Sequence, residues 1–412
     1  VQVPRGADLG KLRTTTLTWS LSSKERWANV YDERAAQARP LSSQIGSGDR
    51  LRVCREGDEG STVVLDRQPW SQSAAVVLEN ATGRVIALTG GSDVTLEGFV
   101  RSTQARRQPG SSFKPYVYAS AFAAGHTQLD RIMDGPLYLP AGNGKVWSPK
   151  NYGGGFSGPL PIRRALAASL NTVAVRLALE VGPTEIARTA RSLGVRTPLR
   201  TDLTIALGSS EVTPMDQAMG YSSLARMGVA IEPVYLDVLE DSEGRRVGGR
   251  GESLRKSDGT EVVLPGRPLA RALPSGVAYE MVDALREVVR AGTARRAYKD
   301  GYDRAGKTGT TNDCVDAWFV GTTPLYTVAV WIGTDGVGSL GDRETGGKAA
   351  LPAWIAIMDA LPDQKGLMFP VPDDAVRVPT ELGVLGFVRG QVPRDVLQVP
   401  HVDGGPLPMI PR

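Results

Sequence analysis

The apolar residues of this chain fall into three blocks whose order leaves few folds open: two strands, a long helical stretch, then more strands. Ala75-Val76-Val77-Leu78-Glu79 and Val85-Ile86-Ala87-Leu88 flank Asn80-Ala81-Thr82-Gly83 and read as a hairpin. Asn80-Ala81-Thr82 also fits a glycosylation acceptor, but is explained better as turn chemistry. The near-continuous apolar runs predict strands buried on both faces. From Ser111 to about Ala230 the period is helical. It is clearest over 162–180, with Pro161 near the start and Gly182-Pro183 past the end. Further helices are expected over about 214–226, 275–290 and 351–361. Strands return at 307–310, 317–320 and 326–333. A sheet whose strands come from both ends of one domain, with helices between them, is α+β: an antiparallel sheet with a helical half.

At 412 residues the chain is too long for one compact core. Residues 1–72 read as a separate small β-rich module and linker. The strand candidates there are 12–19, 49–53 and 61–65, and Pro69-Trp70 punctuates the chain. Short strands without a long helix suggest a small barrel or an irregular β module. The main domain is expected over 73–365, with a polar loop or hairpin at 241–268. Residues 366–412 are Pro-, Val- and Gly-rich and are expected as an extended tail. The formal net charge is only +4 and no Lys/Arg-rich run occurs, which argues against a nucleic-acid surface. Cys54 and Cys314 cannot make a disulfide framework. With His126 and His401 the only histidines, neither a zinc site nor a Ser-His-Asp triad is expected, and no cofactor is called for. No run approaches ~20 apolar residues, and no signal peptide opens the chain. It begins Val1-Gln2-Val3 and reads as a fragment or processed form, with any membrane anchor upstream.

Three short signals carry the chemistry: Ser111-Ser112-Phe113-Lys114, Ser169-Leu170-Asn171 and Lys307-Thr308-Gly309. Each alone is read more simply as solvated surface residues. A second Ser-x-x-Lys, Ser253-Leu254-Arg255-Lys256, lies in a polar stretch and is read as chance. Pro109-Gly110 puts Ser111 at or near a helix N-terminus, where free N–H groups and a positive dipole end favour an alkoxide and a developing oxyanion. Lys114, one turn on, shares its face. A serine needs a base to take its proton. Lysine serves only if burial or a nearby positive charge lowers its pKa, and Lys307 could supply that charge. Ser169 and Asn171 fall inside the 162–180 helix, where buried polar groups need partners. Ser169 is read as a proton relay between Lys114 and an amine, and Asn171 as a holder of a substrate amide. Gly306 to Thr311 is a small-residue strand to which a substrate backbone could add. Lys307 and Thr308 would hold a carboxylate, with Gly309 and Thr310 beside them. The N–H groups of Ser111 and Thr310 would form an oxyanion hole.

The flanking residues resemble the transpeptidase domain of class A penicillin-binding proteins. Arg107-Gln108-Pro109-Gly110-Ser111-Ser112-Phe113-Lys114-Pro115 is similar to that family's nucleophile segment. Ser148-Pro149-Lys150-Asn151-Tyr152, ahead of Ser169-Leu170-Asn171-Thr172, resembles its second. Ala206 to Pro214 resembles a helix entry, and Gly306 to Asn312 followed by Asp316-Ala317-Trp318-Phe319-Val320-Gly321 its third. Together these cover roughly 74–361. Phe99-Val100-Arg101 departs from the pattern, with Val where the family usually has Asn.

The resemblance implies a serine D,D-transpeptidase that cross-links peptidoglycan stem peptides through a Ser111 acyl-enzyme, releasing terminal D-Ala. It also implies acylation of Ser111 by β-lactams, carboxypeptidation as a side activity, and a place on the extracytoplasmic, periplasmic side of the inner membrane among wall-synthesis partners. Bifunctional members carry a glycosyltransferase domain, which nothing here resembles. The N-terminal module is similar to a small OB-like domain that some members place between their catalytic halves. Two rivals stay open. A β-lactamase would turn penicillin over rapidly, and a non-enzymatic wall-peptide receptor would be indifferent to loss of the Ser111 hydroxyl.

Overall fold

The computed structural model describes residues 71–91, 98–255, 258–264, 266, 268–336, 338–341, 343–394 and 396, with six short strands within residues 1–70. The chain divides into two units, one of residues 1–72 with 333–342 and one of residues 73–332 with 343–412. In the first, the described strands form three antiparallel pairs: Lys11–Thr14 with Leu17–Ser20, Trp27–Ala28 with Arg39–Pro40, and Val53–Glu56 with Thr62–Leu65. The single strand expected over 12–19 is therefore a hairpin. An OB-like barrel over 1–72 falls largely outside the described residues.

The second unit is an α+β domain. The elements that frame its sheet and site are, in chain order, β1 (Gln72–Glu79), β2 (Val85–Thr89), α1 (Lys114–Ala123), α2 (Ile162–Ala167), α3 (Asn171–Val181), α4 (Pro183–Ser192), α5 (Pro214–Ala225) and α6 (Ser275–Arg290), with short two-stranded pairs between them. They continue with β3 (Ala305–Thr310), β4 (Asp316–Thr322), β5 (Tyr326–Gly333), α7 (Ala350–Ala360), β6 (Ala375–Thr380) and β7 (Gly383–Val388). The sheet runs β3-β4-β5-β1-β2, with antiparallel pairing in β3–β4 and β1–β2. Burial on both faces holds for the inner half of β1 but not for β2. Strand β2 is the outer strand of this sheet, and Ile86 and Leu88 stand exposed.

Helix α1 is buried from Lys114 to Phe122, so its apolar residues run all round rather than along one stripe. Strand β4 is buried throughout, with Phe319 edge-to-face on Trp354 of α7, ring centroids 5.0 Å apart. Asn80 does more than make a turn. Buried in the sheet, it donates to the Thr323 carbonyl (2.8 Å) and accepts from Thr327 (2.7 Å) and Ser222 (3.0 Å), so a hairpin tip ties β1 to β5 and α5.

Two expectations are corrected. The single helix over 162–180 is two helices, α2 and α3, broken at Ser169, whose φ of 58° is left-handed. The cap that restarts the helix comes from elsewhere: Asn151 Oδ1 accepts the Asn171 N–H at 2.8 Å. No local period reveals a cap supplied from twenty residues away. The tail after 365 is not simply extended either, since β6 and β7 form a hairpin on α6. Pro379 and Gly386 mask its alternation. Gly386 is required there, because a Cβ would sit 2.4 Å from the Tyr279 ring.

Beneath this hairpin lies a buried charge network. Arg163 donates to Asp283 (2.9 Å) and Glu287 (3.1 Å), and Arg286 to Asp283 (3.0 Å) and Asp303 (2.7 Å). Burial opposes the Asp283 charge, yet Arg163 and Arg286 hold its carboxyl below the ordinary range. Asp283 also accepts the Gly386 N–H of β7 at 3.1 Å, so the network fastens the tail.

Candidate active site

Ser111 lies in the 3-10 turn Gly110–Phe113, which leads directly into α1. The turn is fixed from below by α5. Gln217 donates to Ser112 Oγ (2.8 Å) and Tyr221 to the Ser112 carbonyl (2.7 Å), while Ser112 Oγ donates back to the Pro109 carbonyl (2.8 Å). Ser112 is thereby consumed structurally, which leaves its half-buried neighbour Ser111 as the hydroxyl open to a ligand.

The turn presses on the end of β3 so closely that only glycine fits. A Cβ on Gly309 would lie 2.3 Å from the Pro109 carbonyl oxygen, and one on Gly110 would lie 2.5 Å from that of Thr310. The glycine of Lys-Thr-Gly is thus a packing requirement, and it brings the backbones of Ser111 and Thr310 side by side. The Thr310 hydroxyl is itself held, accepting the Gly346 N–H at 3.0 Å.

Lys114, Ser169, Asn171 and Lys307 converge. Lys114 Nζ donates to the Ser169 carbonyl (2.7 Å), Asn171 Oδ1 (2.7 Å) and Ser169 Oγ (3.4 Å). Lys307 Nζ donates to the same Ser169 Oγ at 2.8 Å, and to the Thr308 carbonyl (3.1 Å) and hydroxyl (3.4 Å). The left-handed turn at Ser169 is what aims both its carbonyl and its hydroxyl at Lys114. With Lys307 donating to its oxygen at 2.8 Å, the Ser169 hydroxyl keeps its own proton free to give away.

Both lysines are fully buried. Burial lowers the Lys114 pKa far below the ordinary lysine value, and the Lys307 charge lowers it further. Burial alone brings Lys307 down to about 7. Of the two expected causes, burial and a neighbouring positive charge, burial is the larger for Lys114.

Asn171 is used from both ends. Its Oδ1 accepts Lys114 and its Nδ2 donates to the Lys150 carbonyl at 2.7 Å, so here it positions the lysine. Asn151, which caps α3, is held in turn by Asp134 at 2.7 Å. Against the cost of burial, hydrogen bonds from Thr172, Asn151 and Ser157 keep the Asp134 carboxyl below its ordinary pKa. Asn151, Gln217 and Tyr221 support the site without standing in any of the three signals. Of these only Asn151 lay in a quoted segment, Ser148 to Tyr152, and nothing local marked it as a cap. The second Ser-x-x-Lys begins on the exposed strand Ser253–Arg255.

Among the described residues no group of three or more His, Cys, Asp and Glu could hold a metal ion, and no helix is long and apolar enough to cross a membrane. The arrangement as a whole supplies a reachable serine, a buried amine of lowered pKa one turn away, and a shared hydroxyl that can pass a proton between them and a ligand. That is the equipment of acyl transfer.

Residues 73–359 match the family described as the penicillin binding protein transpeptidase domain. Penicillin-binding protein 1A of Neisseria lactamica is 39% identical over 357 residues, covering 84% of this chain and 44% of the relative. The protein of the same name from Pseudomonas aeruginosa is 33% identical over 383 residues, covering 83% and 46%. The chain thus spans under half the length of these relatives. Among solved structures, penicillin-binding protein 1A of Haemophilus influenzae superimposes with a TM-score of 0.72 at 26% identity, covering 84% of this chain and 57% of that one. PonA1 of Mycobacterium tuberculosis in complex with penicillin V gives 0.63 at 26% identity, covering 74% and 82%.

Proposed function

This chain belongs to the penicillin-binding protein transpeptidase family as a class A transpeptidase domain, and from that premise we propose that it is a serine D,D-transpeptidase forming an acyl-enzyme at Ser111. One observation carries the reading: Lys114, Ser169 and Lys307 share one buried hydrogen-bond network beside the Ser111 turn. Ser111 Oγ attacks the penultimate D-Ala carbonyl of a stem peptide and its proton passes to neutral Lys114. The N–H groups of Ser111 and Thr310 stabilise the oxyanion. Ser169 carries a proton from Lys114 to the departing D-Ala amine. The amine of a second stem then resolves the ester by the reverse path. The substrate's terminal carboxylate docks on Lys307 and Thr308 along β3. Its negative charge favours the protonated form of Lys307, while burial keeps Lys114 neutral. β-Lactams enter by the same attack, and PonA1 is a relative solved with penicillin V. This chemistry needs no cofactor and acts on a wall polymer found outside the cytoplasmic membrane. The working place is therefore the periplasmic face of the cell envelope, with wall-synthesis enzymes as partners. Residues 1–72 hold none of the site residues and are assigned spacing or partner contact.

Mass spectrometry after incubation with a penicillin tests the nucleophile. A stable adduct on the peptide containing Ser111, absent in Ser111→Ala, is the expected result. An adduct that persists in Ser111→Ala refutes the assignment, and rapid turnover of the drug would make the protein a hydrolase.

The pH profile of acylation tests the base. Burial lowers both lysines, Lys114 far below the ordinary value and Lys307 to about 7, and two amines that share one hydroxyl lose their protons as a pair. Acylation should fall by about tenfold per pH unit below the lower apparent pKa, where the base stays protonated. A rate that keeps rising toward pH ~10, the range of ordinary lysines, would show that burial does not set the base.

A further inference from the structure

A residue outside all three signals touches the carboxylate site. Thr293 follows α6 in the turn Gly292-Thr293-Ala294. Its hydroxyl lies 2.8 Å from that of Thr308, and its N–H donates to the Ala167 carbonyl at 3.1 Å, at the end of α2 two residues before Ser169. Gly292 makes the approach possible, since a Cβ there would lie 2.5 Å from the Ala167 carbonyl oxygen. One exposed threonine thus ties the Ser169 turn to the Lys-Thr-Gly strand.

We infer that Thr293 is a positioning residue for carboxylate recognition: it donates to Thr308 and thereby turns the Thr308 O–H toward the substrate's terminal carboxylate. The argument is a count of protons. A threonine hydroxyl has one proton and two lone pairs. Lys307 can donate only into a lone pair of Thr308 Oγ1, which it faces at 3.4 Å. If Thr308 gave its proton to Thr293, it would present a carboxylate with oxygen lone pairs only. If Thr293 gives its proton to Thr308, both lone pairs are filled and the Thr308 O–H points outward. A bound carboxylate, which accepts only, selects the second arrangement. Thr293 is exposed, so it has little packing role that would explain its hydroxyl otherwise.

The inference rests on the reading that Thr308 binds a carboxylate, and the experiment separates the two. Acylation rates are measured for a penicillin and for its methyl ester in the wild type, Thr293→Val and Thr293→Ser. Valine keeps the shape and the N–H to Ala167 but removes the hydroxyl, so the thermal midpoint should not change. The expected result is that Thr293→Val slows the free acid by about tenfold, the size of one net hydrogen bond. It should leave the ester unaffected, and Thr293→Ser should restore the acid rate. Equal slowing of acid and ester, or no rescue by serine, would reduce Thr293 to a structural tie and overturn the inference. A wild type with no preference for acid over ester would remove the carboxylate reading and the inference with it.

Discussion

Lys114→Ala is expected to slow acylation of Ser111 by about 10²–10⁴-fold, the usual worth of a positioned general base. The size follows from where the amine sits. It is fully buried, its pKa is lowered first by desolvation and then by Lys307, and two acceptors at 2.7 Å, the Ser169 carbonyl and Asn171 Oδ1, fix its direction. No other group of lowered pKa lies one turn from Ser111. The fold should tolerate the change. Burying an amine costs free energy, so removing it offsets the loss of its hydrogen bonds, and the thermal midpoint should stay near the wild-type value. The measurement is the second-order rate of adduct formation per folded molecule, taken alongside the midpoint. A variant that keeps most of the rate would transfer the role of base to Lys307. A variant that loses rate and midpoint together would make Lys114 a structural residue.

The largest effect on stability is expected at Asp283→Ala. Asp283 is the shared acceptor of Arg163 and Arg286, both buried, and also receives the Gln128 side chain and the Gly386 N–H. Removing it leaves two buried cations short of a partner, a cost of about 3–5 kcal/mol, or roughly 4–7 °C in the thermal midpoint of a unit of this size. The Asp283 pKa is lowered in the folded state, so its contribution is present above the unfolded carboxyl value of ~3.9. It is lost as pH falls through the lower folded value. The difference in midpoint between wild type and Asp283→Ala should therefore persist at neutral pH and close in strong acid. The tail hairpin should loosen first, because β7 is pinned by the same carboxylate. Protease cleavage within 375–388 at temperatures where Ser111 still acylates would show this. A midpoint within a degree or two of wild type would mean that Glu287 and Asp303 satisfy both arginines without it.

Short-range information was enough for most elements and for the nucleophile, base and strand signals. Helix period, flanking Pro and Gly, and alternation are written within a dozen residues, and they placed α5, α6, α7 and the strands of the sheet within a few positions. The gathering of Lys114, Ser169, Asn171 and Lys307 beside the Ser111 turn was likewise expected from the sequence, because acyl transfer restricts which residue types can serve and the three signals stand in a fixed order. The break at Ser169 was not legible. Apolar periodicity runs straight through 162–180; the left-handed turn closes α2 with the Leu170 N–H on the Ala165 carbonyl (3.0 Å), and the restart of the helix is capped by Asn151 from another segment. Nor could local pattern show that Asn171 would be spent on Lys114 and Lys150, that Gln217 and Tyr221 would brace the Ser111 turn, or that Thr293 would reach Thr308. The hairpin on α6 was hidden for the same reason, as its Gly386 answers to the Tyr279 ring more than to its own strand. By itself the sequence determined the family and which side chains are available for chemistry, since those depend on the identity and order of a few residues. Only the tertiary structure decided their direction, protonation and support. Those depend on burial and on hydrogen-bond partners that chain folding brings from distant positions.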